Sequence, residues 1–351
     1  MTKKEALRAV EAIIFKSENK EDLTLQEMYF LDQISYRVQE KFIAEIRARQ
    51  EKIPGLDRGE LGYLGTWGGE LTPGCKKCLE HYFHAIRSVT SCNLRCPFCY
   101  YANKHDQQSP LNDDHFTIAT NMVLTSRDIK LMLNKAMRGG GKLRSIAWVW
   151  YEPFTRFEKH PEIVRYIHDQ GIYQHLYTNG TLCTRENLKE LAEAGLEEIR
   201  FNLAATMCAD RIINAMATAR EFFPYVCVES PMFKEYFTHF VKKRDQILAS
   251  GVDHIHCAEL HLNQHNAANF AHEDWYQYKN GYVSPMSSRR FTYDLMDIAV
   301  EENWKNVVIH DCSNEVKFYR GVSREQFGKI AYYEEMGMPF VWFKLALMKY
   351  V

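Results

Sequence analysis

Three cysteines, Cys92, Cys96 and Cys99, stand four and three residues apart in the segment Cys92-Asn93-Leu94-Arg95-Cys96-Pro97-Phe98-Cys99. Thiolates are soft ligands that suit iron–sulfur clusters and zinc. Three ligands on one loop leave one iron of a four-iron cubane open to a substrate or cofactor, which is a catalytic arrangement. An electron carrier closes all four positions. A structural zinc loop is the plainer alternative, and zinc usually pairs one C-x2-C with a second. Cys75 and Cys78 make such a pair, with His81 and His84 nearby and Cys257 or Cys312 as further donors. No complete ligand set is visible within that segment. The two are therefore read as loop thiols, with an additional metal site as the open alternative.

The elements that must position the cysteines follow from periodicity. Residues 84–90 alternate in polarity like a strand and feed directly into Cys92. Ile129, Met132, Leu133 and Ala136 recur at helical spacing behind a Ser126 cap, and Gly139-Gly140-Gly141 ends that helix. Residues 145–150 read as a buried strand ending in Trp150-Tyr151-Glu152-Pro153. Pro161 and Gly171 bracket a helix. Residues 172–177 form the next strand, ending in Thr178-Asn179-Gly180. Leu188, Leu191 and Ala192 mark a helix stopped by Gly195, and residues 198–203 a strand with Asn202 near its end. Ile212, Ala215, Met216 and Ala219 mark another helix. Strands over residues 225–231 and 252–257 complete six, with a possible seventh near 307–310. Alternating strands and helices predict a parallel barrel or doubly wound sheet, with ligands at the carboxyl ends of the strands. The cysteine loop, Glu152, Asn179, Asn202 and Glu229 all fall at such ends.

The C-x3-C-x2-C spacing with Phe98 before the last cysteine resembles the radical S-adenosylmethionine (SAM) superfamily. The resemblance implies a partial TIM barrel, (β/α)6, with an N-terminal helical segment. It also implies a [4Fe–4S] cluster on Cys92, Cys96 and Cys99 whose open iron holds SAM. Reductive cleavage of SAM then yields a radical that abstracts hydrogen from a substrate; that chemistry belongs to the cofactor while the protein positions it. The family's Gly-Gly-Glu-Pro segment, which binds the SAM amino group, is matched here by Trp150-Tyr151-Glu152-Pro153, with aromatics in place of both glycines. Its Thr-Asn-Gly segment is matched at Asn179, and the V-E-x-P strand of enzymes like the pyruvate formate-lyase activase at Glu229. The cofactor-binding set so implied is Phe98, Trp150, Tyr151, Glu152, Asn179, Asn202 and Glu229. An archaeal group related to that activase is similar in three further places: Pro73-Gly74-Cys75-Lys76-Lys77-Cys78, Glu259-Leu260 with Asn266, and His310-Asp311-Cys312-Ser313 with Lys317 following. The implied partners are a reductant protein such as flavodoxin or ferredoxin and a protein or peptide substrate.

Composition suits an enzyme of a reducing, cytoplasmic compartment. The net charge of the 351 residues is −1, so nothing points broadly to nucleic acid or a membrane surface. No apolar run is long enough to span a bilayer. Ten cysteines without a secretory signal argue for thiols used in metal binding or packing rather than disulfides. Three segments are expected: 1–70 as N-terminal helices and linker, 71–320 as the barrel, and 321–351 as a tail packed on it. Thr24 can cap a helix carrying Leu31, Ile34, Val38, Phe42, Ile43 and Ile46, read as a cover for the barrel in preference to a docking surface.

Single residues carry plainer alternatives. Buried polar groups at strand ends often only bond loop backbone, which is the plainer reading of Asn202 and Glu229 and weakens their assignment to the cofactor. His261, His265 and His310 are expected to be structural, and Cys183, Cys208 and Cys227 to belong to the core or helices. Tyr100 and Tyr101 are expected to shield the cluster. Three functions compete: modification of a protein or peptide, modification of a small metabolite, and metal binding or electron transfer without catalysis.

Overall fold

A computed structural model describes residues 3–19, 21, 24–80, 83–100, 114–118, 123–138, 143–263 and 265–319. The chain opens with helices α1 (Lys3–Glu18) and α2 (Leu25–Gln50), then strand β1 (Thr66–Trp67), helix α3 (Pro73–Leu79) and strand β2 (Phe83–Arg87). Strands β3 (His115–Ile118) and β4 (Val123–Thr125) form a hairpin that runs into α4 (Ser126–Arg138). An alternating stretch follows: β5 (Ser145–Trp148), α5 (His160–Asp169), β6 (Tyr173–Thr178), α6 (Arg185–Glu193), β7 (Glu198–Phe201), α7 (Asp210–Ala219), β8 (Tyr225–Pro231), α8 (Lys234–Ala249) and β9 (His254–Ala258). A small hairpin, β10 (Trp275–Gln277) and β11 (Val283–Pro285), leads to α9 (Met286–Glu301), β12 (Val308–Cys312) and α10 (Asn314–Tyr319).

The main sheet has the order β1-β12-β9-β8-β7-β6-β5-β2-β3-β4. Its seven central strands, β12 to β2 in that order, are parallel. The expected six strands thus gain β12 as a seventh, and among the described residues β1 and β4 stand at the edges of the sheet. The glycine-rich segment expected as linker supplies the antiparallel edge strand β1, paired with β12. The helix cap expected at Ser126 sits one residue earlier. Thr125 and Asp128 bond reciprocally through side chain and backbone, a capping box about Thr125. The Gly139-Gly140-Gly141 stop, Tyr101, His81 and the tail 321–351 lie outside the described residues.

Strand side chains alternate between the two faces of the sheet. On one face, Ile199, Phe201, Val226, Val228 and Ile255 join the apolar core. The other face is polar. Register lines up Tyr177, Arg200, Cys227 and His254 in one row and Glu229, His256 and His310 in the next. Parallel strands buried on both faces usually read as continuous apolar runs, so this face marks the functional interior.

Thr24 caps α2 in a reciprocal capping box with Glu27, the kind of cap worth about 1 kcal/mol. Leu31, Ile34, Val38, Phe42 and Ile46 are buried along one side of that helix. Arg49 reaches Asp294 and Asp297, Arg290 reaches Glu45, and Phe42 lies 4.5 Å from the Tyr276 ring. These contacts fasten α2 over α9 and the small hairpin. No helix among the described residues is long and apolar enough to cross a membrane.

Candidate active site

The cysteine loop leaves β2 at the carboxyl edge of the parallel strands, and a cavity of about 490 Å³ opens beside it. Cys92, Cys96, Phe98 and Cys99 form one wall. Trp150, Tyr151, Asn179, Asn202 and Glu229 line the same cavity. Nine residues singled out by sequence, drawn from five chain segments, therefore meet in one place. The three thiols are each partly exposed, as access by a metal group requires. Burial pushes the Cys92 thiol upward and that of Cys96 to about 12, and a metal bound to these thiols would displace their protons.

Three asparagines hold the loop from behind. The Asn269 amide donates to the Pro97 carbonyl at 2.7 Å, Asn266 to Phe98 at 3.0 Å and Asn263 to Tyr100 at 2.8 Å. Asn266 is fully buried; its amide also donates to the His261 carbonyl, and its side-chain oxygen accepts from the Asn263 N–H. Sequence reasoning noted only Asn266, through family likeness. The i, i+3, i+6 spacing of the three amides was the available signal. Asn179 adds a fourth tie, donating to Cys92 Sγ at 3.8 Å and to Asn93 Oδ1 at 2.9 Å.

Trp150 and Tyr151 have φ of 66° and 54°. This left-handed region is one glycine enters freely and bulky residues seldom do. The two aromatics thus hold the backbone conformation natural to the glycines that the family carries here. Arg87 lies over the Tyr151 ring at 5.7 Å.

Glu152 stands apart from the other expected ligands. Its side chain is fully buried and lies off the cavity wall. It accepts from Asn179 N–H at 2.6 Å, from the Thr178 hydroxyl at 2.8 Å and from Phe154 N–H at 3.2 Å. Burial pushes its carboxyl up to about 7 against the pull of those donors. In this arrangement the carboxylate positions the Thr178-Asn179 turn. Gly180 completes that turn with φ of 77°, and a Cβ there would lie 2.8 Å from Ile212 Cγ2.

Asn202 caps a short 3-10 turn, its side-chain oxygen accepting from Ala205 N–H at 3.2 Å. Glu229 is held from below by Arg200 Nη1 at 2.5 Å. Arg200, two residues before Asn202 on the same face of β7, was not singled out by sequence, although strand alternation points to it. His261, Tyr282 and Lys317 line the far wall. The His261 ring stacks on Tyr282 at 4.2 Å, and its Nε2 lies 2.6 Å from Asn314 Oδ1 and 3.1 Å from Lys317 Nζ. His265 and His310 do not line the cavity.

A mostly parallel α/β sheet with a three-thiol loop at its carboxyl edge is the class that fold and site define. Residues 86–237 match the model of the radical SAM superfamily. Members of that superfamily use a [4Fe–4S] cluster and SAM. The chain is 26% identical over 132 residues to the tungsten-containing aldehyde ferredoxin oxidoreductase cofactor-modifying protein of Pyrococcus furiosus, covering 37% of this chain and 32% of that protein. It is 31% identical over 123 residues to the PqqA peptide cyclase of Bradyrhizobium diazoefficiens, covering 34% and 28%. The matches thus span about a third of those relatives' length. Among solved structures, SuiB of Streptococcus suis bound to its precursor peptide SuiA matches at a TM-score of 0.44 with 14% identity, over 82% of this chain and 55% of that one.

Proposed function

We propose that this chain is an enzyme that holds a [4Fe–4S] cluster on Cys92, Cys96 and Cys99, cleaves SAM reductively and abstracts a hydrogen from a protein or peptide substrate. The observation that carries the reading is the convergence of the three thiols with Trp150, Tyr151, Asn179, Asn202 and Glu229 on one cavity. The donor set fits the group. Three soft sulfur ligands on one loop suit a four-iron cluster and leave one iron for a further ligand. A cluster held by Cys92, Cys96 and Cys99 would supply the electron for reductive cleavage of SAM and so the source of hydrogen abstraction.

The chain's own residues orient and enclose. The left-handed turn at Trp150 and Tyr151 sets the backbone of one cavity wall. Asn179 orients Cys92 and is itself positioned by Glu152. Arg200 keeps Glu229 oriented at the cavity wall, as a carboxylate that can accept hydrogen bonds from a bound ligand. Phe98 and Tyr100 flank the thiols and limit access of water. A peptide-sized substrate is supported by the relative named as a peptide cyclase, over the matched third.

The test is anaerobic reconstitution followed by iron analysis and turnover with dithionite. About four irons per chain and formation of 5′-deoxyadenosine are expected. A peptide or protein encoded beside the gene should change in mass under turnover. Zinc in place of iron with no SAM cleavage would sink the enzyme; turnover of a small metabolite alone would sink the peptide substrate.

A further inference from the structure

Beneath the cavity, on the same polar face of the strands, lies a second group of sulfur and nitrogen donors, with His256 in register with Glu229. The ligand atoms of Glu198, Cys227 and His256 all lie within 4.8 Å of one another, and all three residues are buried. Cys75 joins them from α3, its Sγ 3.7 Å from His256 Nδ1. The Pro73-Gly74-Cys75 start of α3 explains the close approach. A Cβ on Gly74 would lie 2.8 Å from Glu198 Oε2 and 3.0 Å from Arg200 Nη2, so glycine lets the helix settle here without displacing those side chains. Thr72 caps α3 by accepting from Cys75 N–H at 3.2 Å and donates to Glu198 Oε1 at 3.2 Å.

We propose that Cys75, Cys227, His256 and Glu198 form a buried structural site for a zinc-class divalent cation, separate from the cysteine loop. Two sulfurs, one imidazole and one carboxylate are a complete tetrahedral donor set for zinc, and structural sites are closed in this way. The donors come from α3, β7, β8 and β9, so one cation would tie the segment entering the barrel to three of its strands. The donors found differ from those the sequence suggested. Cys257 points to the opposite face, beside Asp311 and Thr292, and His84 is exposed.

Arg200 is the outer partner of the site. Its Nη2 lies 3.3 Å from Cys75 Sγ and 2.5 Å from Glu198 Oε1, its Nε 2.6 Å from the same oxygen, and its Nη1 2.5 Å from Glu229. Tyr173 donates to Glu198 Oε2 at 2.8 Å. Groups of this kind orient metal ligands and favour their anionic forms. Binding exchanges the two thiol protons, released to solvent, for one divalent cation as two metal–sulfur bonds form. The net charge of the buried cluster is unchanged, so occupancy adds no uncompensated charge to the interior. The ligand atoms of Glu198, Cys227 and His256, up to 4.8 Å apart, must draw in by about 1 Å, and Cys75, seated against His256, must close on the other two, since zinc bonds of 2.0–2.3 Å set tighter spacings.

The experiment is metal analysis of full-length protein, purified anaerobically and desalted. About one zinc per chain is expected in wild type and also after Cys92, Cys96 and Cys99 are all changed to Ala, while iron falls to background. Cys75→Ser and Cys227→Ser should each lower zinc at least tenfold. Because a core variant can misfold, wild-type protein stripped of zinc is also titrated with Co(II). A thiolate-to-cobalt charge-transfer band saturating near one equivalent is expected. Zinc below a tenth of an equivalent in wild type with no cobalt band would overturn the site, as would zinc that vanishes with the Cys92 loop and survives Cys75→Ser. The cluster would then be a hydrogen-bonded network around Arg200.

Discussion

Two thiol constellations lie along the same parallel strands, one at the cavity and one beneath it, and they differ in access. At the carboxyl edge, Cys92, Cys96 and Cys99 are partly exposed on one loop beside a cavity. Beneath the cavity, Cys75 and Cys227 are buried against His256, Glu198 and Arg200. The first set is contiguous in sequence and held by amides from elsewhere. The second is assembled from four segments and carries its own counter-cation. An open wall gives a large group access to the loop, whereas enclosure strengthens polar contacts that tie secondary structure together.

The largest separation of the two sites is expected from Cys92→Ala with Cys96→Ala and Cys99→Ala. Iron and 5′-deoxyadenosine formation should disappear, while the thermal transition of the metal-free protein stays within a few degrees of the metal-free wild type. Retained SAM cleavage would remove the loop from the chemistry.

At the closed site, Arg200→Met leaves the buried Glu198 carboxylate without its cation. Breaking such a pair costs about 3–5 kcal/mol, read as a fall in the urea midpoint. Because Arg200 also holds Glu229 at the cavity, SAM binding should weaken as well. A change of stability without any change in SAM affinity would show that the two sites are independent.

Asn266→Ala tests the support of the open site. It removes a buried amide that donates to two carbonyls and should cost about 1–3 kcal/mol. The more specific readout is iron release to a chelator, which should quicken because Phe98 loses its tether. Release at the wild-type rate would mean that Asn263 and Asn269 suffice.

The smallest effect concerns the left-handed turn. Trp150→Gly should be more stable than Trp150→Ala by about 1 kcal/mol, since alanine keeps the left-handed penalty and glycine does not. Equal stability of the two variants would show that the turn stores no strain.

The open site was largely legible from residue order. Cys92, Cys96 and Cys99 are local, and Asn179, Asn202 and Glu229 stand at strand ends that periodicity marks. The closed site was not. Cys75 was paired with Cys78 by proximity in sequence, and Cys227 was assigned to the core. Strand alternation shows which side chains share a face, but it does not say how far adjacent strands are shifted against one another. That register is what sets Arg200 beside Cys227 and Glu229 beside His256. Glu152 teaches the same lesson at short range. Its place at a strand end was readable, while the inward turn of its carboxylate toward Asn179 depends on the neighbouring strand.

Sequence alone determined the strand-and-helix rhythm, the three-thiol loop and the residues at the strand ends, because these depend on spacing along one chain. Tertiary structure decided that the glycine-rich segment supplies an antiparallel edge strand, that three asparagines tether the loop, that two aromatics take a glycine conformation, and that a second group of sulfur donors lies beside Arg200. Those features depend on packing between segments distant in sequence, where burial forces each polar group to find a partner that no local pattern specifies.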